Sequence, residues 1–434
     1  MNRFIYVFIV LFLLSTASYA QGADTATGPA VRGQDQTGEE QKKPSAEELE
    51  KLRREALREA EQTSEEEPAE TTVFKSGALG LQAMNPEISV SGDFLNIYRD
   101  GPSENEFTDF TFRGLGLHLE SYLDPYSRFK AAVGVGPEGA ELEEAYVMRY
   151  GVVGGLNLTL GKFRQQFGVV NRWHKHALDW ADFPLPILLI FGDEGLNQTG
   201  FSGDWSGSAG GLSEGIEVQV TEGSNQSLFA QNARKRPSIL AHYKLYRDIS
   251  SSTYFELGMT GLVGWNDAWD TGGDMLEEET RDSEVYGLDC SVVWEPTDRM
   301  RYRNIEWRTE FYYVNKNVLA PDSSGKATLN PWGVYTSLQA KMSRTVDVGA
   351  RFDYYRPDVE TFAAGPGVSL SPLAVTKDGA YRWQASPYIT WWQSPFVKFR
   401  LEYDHEDGKG MGEREDRFIV QCVFAAGPHK HDRY

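Results

Sequence analysis

"IEWRTEFYY" at 305–313, "VDVGARFDY" at 346–354 and "VKFRLEY" at 397–403 carry the reading that decides the fold. In the first, Ile305, Trp307, Thr309, Phe311 and Tyr313 alternate with Glu306, Arg308, Glu310 and Tyr312. In the second, Val346, Val348, Ala350, Phe352 and Tyr354 alternate with Asp347, Gly349, Arg351 and Asp353. In the third, Val397, Phe399, Leu401 and Tyr403 oppose Lys398, Arg400 and Glu402. Successive side chains of a β-strand point to opposite faces, so each stretch is a strand with one apolar, aromatic face and one polar or charged face. Lipid on one side and water on the other would demand that division. A soluble sandwich also alternates, so the connections must decide.

The same texture predicts strands at 87–98, 107–123, 128–136, 142–150, 155–163, 196–206, 212–223, 237–246, 252–264, 283–295, 301–316, 332–343, 345–356, 380–393, 396–405 and 416–426. Tight turns ("DPYS", "GVVGG", "SGSAGG", "RDISSS", "PTDRM", "SRT" and "SP") fall at every second connection, and long loops, including 164–195, 265–282, 317–331 and 357–379, fall between them. Strict alternation of long and short connections is the pattern of a membrane barrel, with short turns on one side and long loops on the other. The expected fold is therefore all-β: a transmembrane antiparallel β-barrel of about 16 strands over residues 86–434, with a short N-terminal helical or disordered extension. An even strand number of this size is near that which leaves an aqueous channel. Cys290 and Cys422 fall on the lipid-facing side of separate strands and are expected not to pair.

The ends agree. "MNRFIYVFIVLFLLSTASYA" has a positive start, an apolar middle and a small-residue cleavage site, so residues 1–20 read as a signal peptide. Residues 21–85 are polar; within them "SAEELEKLRREALREAEQ" (about 45–62) reads as a charged helix, either a small coiled coil or a solvated one. After the signal no apolar run is long enough for a spanning helix. A net charge of −20 with no basic stripe excludes a nucleic-acid binder. Export to the outer membrane implies lipid and the barrel-assembly machinery as partners.

"NRWHKHALDWADFPLPILLIFGDEGLNQTG" (171–200) occupies the third long loop. Pro184 and Pro186 cannot join a ladder, and the apolar run Leu185 to Phe191 needs cover from water. The loop is expected to fold back into the barrel as a constriction. Its candidate lining is Asn171, Arg172, His174, His176, Asp179, Asp182, Asp193 and Glu194, facing Glu306, Arg308, Arg351, Lys398 and Arg400 on the wall. Asp179 and Asp182 would attract cations in a narrow passage. His174, His176 and Asp179 could instead ligate a divalent metal such as zinc, although their spacing matches no closed zinc motif; hydrogen bonding within a folded loop is the competing account. His429 and His431 follow the last strand and read as a solvated tail. No Gly-x-Ser-x-Gly elbow appears, and His118 and His242 stand on isolated strands, so an enzyme is not expected. No cofactor is needed.

"LGKFRQQFG" (160–168) resembles a segment of the phosphate-selective porin O/P family. "NPEISVSGDF", "ELEEAYV", "NRWHKHALDWADFPLP", "FGDEGLNQTG" and "GPHKHDRY" resemble a branch often labelled zinc-regulated outer-membrane receptors. The resemblance covers roughly residues 85 to 434 and implies a sixteen-stranded, trimeric channel for passive diffusion of small hydrophilic solutes or ions. Phosphate-selective members line their channels with Arg and Lys, whereas the inward faces here carry both signs. Zinc uptake or binding is the alternative function.

Overall fold

The computed structural model describes residues 87–100, 107–137, 139–209, 211–229, 236–266, 281–297, 302–319, 326–360 and 372–427. The expected signal peptide, the charged helix and the C-terminal His429 and His431 lie outside the described residues, as does most of the loop expected at 265–282.

Sixteen antiparallel staves form one closed sheet. In chain order they are β1 (Glu87–Asp100), β2 (Phe107–Asp124), β3 (Ser127–Gly136), β4 (Gly139–Val153), β5 (Leu156–Arg164), β6 (Asn197–Ala209), β7 (Leu212–Thr221) and β8 (Ser238–Ser250). The second half comprises β9 (Thr253–Asn266), β10 (Arg281–Trp294), β11 (Asn304–Leu319), β12 (Lys326–Leu329 and Trp332–Lys341), β13 (Val346–Arg356), β14 (Tyr381–Ser394), β15 (Val397–Lys409) and β16 (Glu415–Ala426). Each stave pairs with its sequence neighbours, and β1 pairs with both β2 and β16, so no edge is left open. Closure gives each stave a hydrogen-bonding neighbour on both sides, which a strand surrounded by hydrocarbon requires. Stave β12 is broken at Asn330–Pro331 because Pro331 has no N–H to donate; Val314 N still donates to the Pro331 carbonyl at 3.0 Å.

The polarity of the wall is the inverse of a soluble protein's. Leu160 is 61% exposed and Leu401 56%, while Lys398, Arg400 and Glu402 on the opposite face of β15 are buried. The expected registers of 305–313, 346–354 and 397–403 all hold, with Phe399 and Trp307 exposed and Arg308 and Arg351 inside. Cys290 and Cys422 are unpaired, as expected.

Two expectations about connections fail. The second loop-side connection shrinks to two residues, because β3 and β4 remain paired up to Gly136 opposite Gly139. The connection at 317–331 shortens likewise, since β11 continues to Leu319 against Lys326. Backbone pairing thus runs beyond the apolar alternation, where side chains leave the membrane zone and their pattern fades. Two short helices, α1 (Leu185–Phe191) and α2 (Gln226–Phe229), and a two-residue parallel pair (Asp358–Val359 with Ala374–Val375) lie among the long connections.

Candidate pore constriction

The 165–196 connection leaves β5 and re-enters β6 through a clasped neck. Gln165 N donates to the Leu196 carbonyl at 2.9 Å. Asn171 Nδ2 donates to the carbonyls of Gln165 (2.8 Å) and Leu196 (3.0 Å), and its Oδ1 accepts from Leu196 N (2.8 Å). Expected as pore lining, Asn171 is fully buried and ties the loop's two ends together. At Gly168 the backbone takes φ +61°, and a Cβ there would collide with Glu310, so the inward turn depends on glycine.

From the neck the loop crosses the lumen with two unlike flanks. The first is apolar. Phe167, Trp173, Trp180, Phe183, Ile187 and Ile190 are buried in one cluster with inward side chains of the wall. Phe167 stacks on Tyr312 (5.6 Å between centroids) and Trp180 meets Tyr335 edge-on (5.9 Å). Helix α1, with Pro186 in its first turn and Gly192 after its end, packs on β12 and β13. Small inward residues make room, since a Cβ at Gly287 would meet Phe167 and one at Gly333 would meet Pro186.

A buried loop needs partners for its own backbone, and here wall side chains supply them. Glu310 Oε1 accepts from Val169 N (3.2 Å) and Val170 N (3.1 Å). Glu402 accepts from Ala181 N (2.8 Å) and Asp353 from Leu185 N (3.3 Å). Lys398 and Arg400 both donate to the Leu178 carbonyl, at 3.2 and 2.7 Å, and Arg351 donates to that of Asp182 at 2.8 Å. Arg308, ion-paired with Glu306, lies 4.4 Å over the Trp173 ring, and Arg351 lies 5.0 Å from that of Trp180. The wall charges expected to face water thus cradle the loop. Asp179 sits 3.9 Å from Arg308, and the Asp182 carboxylate accepts from Phe183 N (2.9 Å), so both belong to this supporting flank.

The second flank is ionic and faces β1–β5. Two β-bulges prepare it. Register shifts make Arg113 the extra residue in β2 and Glu143 the extra residue in β4. Such a bulge re-aims a side chain, and the one in β4 turns consecutive carboxylates to the lumen. Glu143 Oε2 lies 2.9 Å from His174 Nδ1, and Glu144 Oε2 lies 2.9 Å from His174 Nε2. Both contacts are hydrogen bonds when both ring nitrogens donate, which is the imidazolium form. Lys130 stands 3.5 Å behind Glu144, and a Cβ at Gly134 would occupy the space of the Glu143 carboxylate. Arg113 donates to the Ala181 carbonyl (2.8 Å) and lies 3.3 Å from Asp93. Arg164 and Lys175 both pair with Glu194, at 3.4 and 3.5 Å.

Between this flank and the wall is a cavity of about 550 Å³, lined by Asp93, Arg113, His118, Glu143, Lys175 and His176 among others. His118 is not isolated: its ring lies 5.3 Å from both His174 and His176, which are 5.5 Å from each other. Of the expected lining, His174, His176 and Glu194 meet here, Asp193 is exposed, and Arg172 turns back to Gln166 (2.8 Å). The expected trio His174, His176 and Asp179 does not assemble as a metal site. Among the described residues no group of three or more His, Cys, Asp or Glu side chains is arranged to hold a metal ion. Arg113, Glu143, Glu144, Lys175 and His118 were missed. The doubled Glu143–Glu144 in an otherwise alternating strand was the one available signal.

No family model matches the chain. It is 24% identical over 352 residues to an uncharacterized protein of Aquifex aeolicus (strain VF5), covering 75% of this chain and 70% of that one. Among solved structures, the anion-selective porin from Comamonas acidovorans superposes with a TM-score of 0.51 at 11% identity, covering 79% of this chain and all of that one (100%). OprB of Pseudomonas putida gives 0.51 at 10% identity over 80% and 95% of the two chains. The outer membrane channel DcaP of Acinetobacter baumannii gives 0.50 at 12% identity over 79% and 97%. At these identities the likeness is one of fold, that of outer-membrane porins and channels.

Proposed function

We propose that this chain is an outer-membrane porin through which small hydrophilic solutes or ions diffuse passively, with the 165–196 loop setting the size limit. The observation that carries the reading is a closed barrel whose lumen holds a folded loop with a charged cavity along one flank. Lipid-facing Leu160 and Leu401 fit a membrane environment, and the likeness to porin folds fits a channel. The path runs between the loop and β1–β5. It is lined by charges of both signs, so passage is governed first by width and then by field. Assembly as a homotrimer, insertion by the barrel-assembly machinery and release from a signal peptide at 1–20 belong to the same proposal. So does kinship with the phosphate-selective porins, which rests on "LGKFRQQFG" and the segments that accompany it.

The test is single-channel conductance of the refolded protein in planar bilayers. Replacing 173–191 by a short Gly-Ser linker, with the Asn171 clasp kept, is expected to raise conductance several-fold and admit larger solutes. Unchanged conductance would place the loop outside the path, and a folded barrel that passes no current would sink the channel reading.

A further inference from the structure

The fixed charges around the cavity pair off. Asp93 on β1 pairs with Arg113 on β2, and Lys130 on β3 with Glu144 on β4. Lys162 on β5 lies 3.9 Å from Glu141 on β4, and Arg164 on β5 shares Glu194 of the loop with Lys175. His174 is held between Glu143 and Glu144. These pairs leave the aperture close to neutral when His118 and His176 are neutral. Both imidazoles line the cavity, and each lies within 5.5 Å of the His174 ring and of the other. Beyond the groups already named, the Ser91 hydroxyl is 3.5 Å from His118 Nε2.

Resting on the channel reading, we propose that His118 and His176 are selectivity-determining residues: their protonation turns a nearly neutral aperture positive and makes small anions the preferred permeants. The imidazole is the side chain whose charge ordinarily changes between about pH 5 and pH 8. His174 sits between two carboxylates, 2.9 Å from an oxygen of each. It holds the loop at the wall while the other two rings vary the charge. In a narrow passage with low-dielectric walls, two added positive charges alter the local concentration of each ion far more than on an open surface. His118 comes from β2 and His176 from the loop, so the switch exists only while the loop is docked on its ionic flank.

The experiment is the reversal potential of the refolded protein in a KCl gradient, read at about pH 8 and about pH 5. The chloride-to-potassium permeability ratio of the wild type is expected to rise about threefold or more on acidification. In the double variant His118→Gln, His176→Gln most of that rise should be lost, and each single variant should show an intermediate rise. Heat-modifiable migration on gels verifies that the variants fold. A second measurement, carbon-13 NMR of labelled histidine, should place both ring titrations inside the same pH window. Wild-type current whose ion preference ignores pH overturns the inference and leaves the channel reading standing, as does an equal shift in the double variant. A folded barrel with no current at either pH defeats the channel reading and this inference with it.

Discussion

Toward β10–β15 the loop meets the barrel as one layer of a protein core meets another; toward β1–β5 it meets it as a salt-bridge network beside a cavity. The first flank buries Trp173, Trp180, Phe183 and Ile187 against inward tyrosines, and wall carboxylates accept from its Val169, Val170, Ala181 and Leu185 amides. The second joins His174, Lys175 and Glu194 to Glu143, Glu144 and Arg164 by charge, and space remains between them. Charge on an inward strand face is thus no sign of a water-facing residue. Arg308, Arg351, Lys398 and Arg400 hold the loop, whereas Arg113 both donates to the loop's Ala181 carbonyl and borders open volume.

If the apolar flank is a core, its largest member should dominate docking. Trp173→Ala removes a fully buried indole and the ring beneath Arg308 and should weaken docking by about 3–5 kcal/mol. Hydrogen exchange of the 167–191 amides would then accelerate by orders of magnitude and channel currents would become noisy. Exchange rates like the wild type's would show that the aromatic cluster does not hold the loop.

A smaller effect is expected at the acceptor beneath the neck. Glu310→Gln keeps the shape but loses the charge that accepts from Val169 N, Val170 N, Tyr312 Oη and Tyr335 Oη. Charge-assisted bonds are the stronger kind, so a loss of about 1–3 kcal/mol follows, visible as faster exchange at 168–170. A neutral outcome would mean that these amides have another acceptor.

On the ionic flank, His174→Ala leaves Glu143 and Glu144 facing each other beside a cavity that water can enter. Solvent screening limits the cost to about 1–2 kcal/mol. Faster exchange should be confined to 174–178, with conductance rising less than in the loop-shortened protein. Opening that spreads across 185–191 would deny the independence of the two flanks.

The smallest change is expected from Asp182→Asn. Its carboxylate is engaged with Phe183 N on the supporting flank, so stability should move by no more than about 0.5 kcal/mol and the reversal potential should not move. A clear loss of cation preference would put Asp182 back in the ion path.

Strand register was legible because a half-lipid, half-lumen strand must alternate, and Phe399 against Arg400 shows it at each step. The loop's inward fold was legible from Pro184, Pro186 and the apolar run that follows, which could not stand in water. What the loop touches was not. An inward Tyr312, Tyr335 or Tyr355 reads as an ordinary lumen residue until Phe167, Trp180 and α1 are laid against it. A bulge inserts one residue and leaves alternation intact on either side, so Arg113 and Glu143 passed unremarked. His118 and His174 are 56 residues apart in the chain, and only the inward fold of the loop puts their rings 5.3 Å apart.

The central claim of the proposal is that solutes pass along the ionic flank. It is tested most directly by single cysteines placed on either flank, with the lipid-facing Cys290 and Cys422 changed to Ser. Current through Lys175→Cys should fall when a charged, water-soluble methanethiosulfonate reagent is added, because Lys175 borders the cavity. Current through Ile190→Cys should not respond, because Ile190 is fully buried against the wall. Block at Ile190→Cys with none at Lys175→Cys would contradict the account and move the path to the other side of the loop.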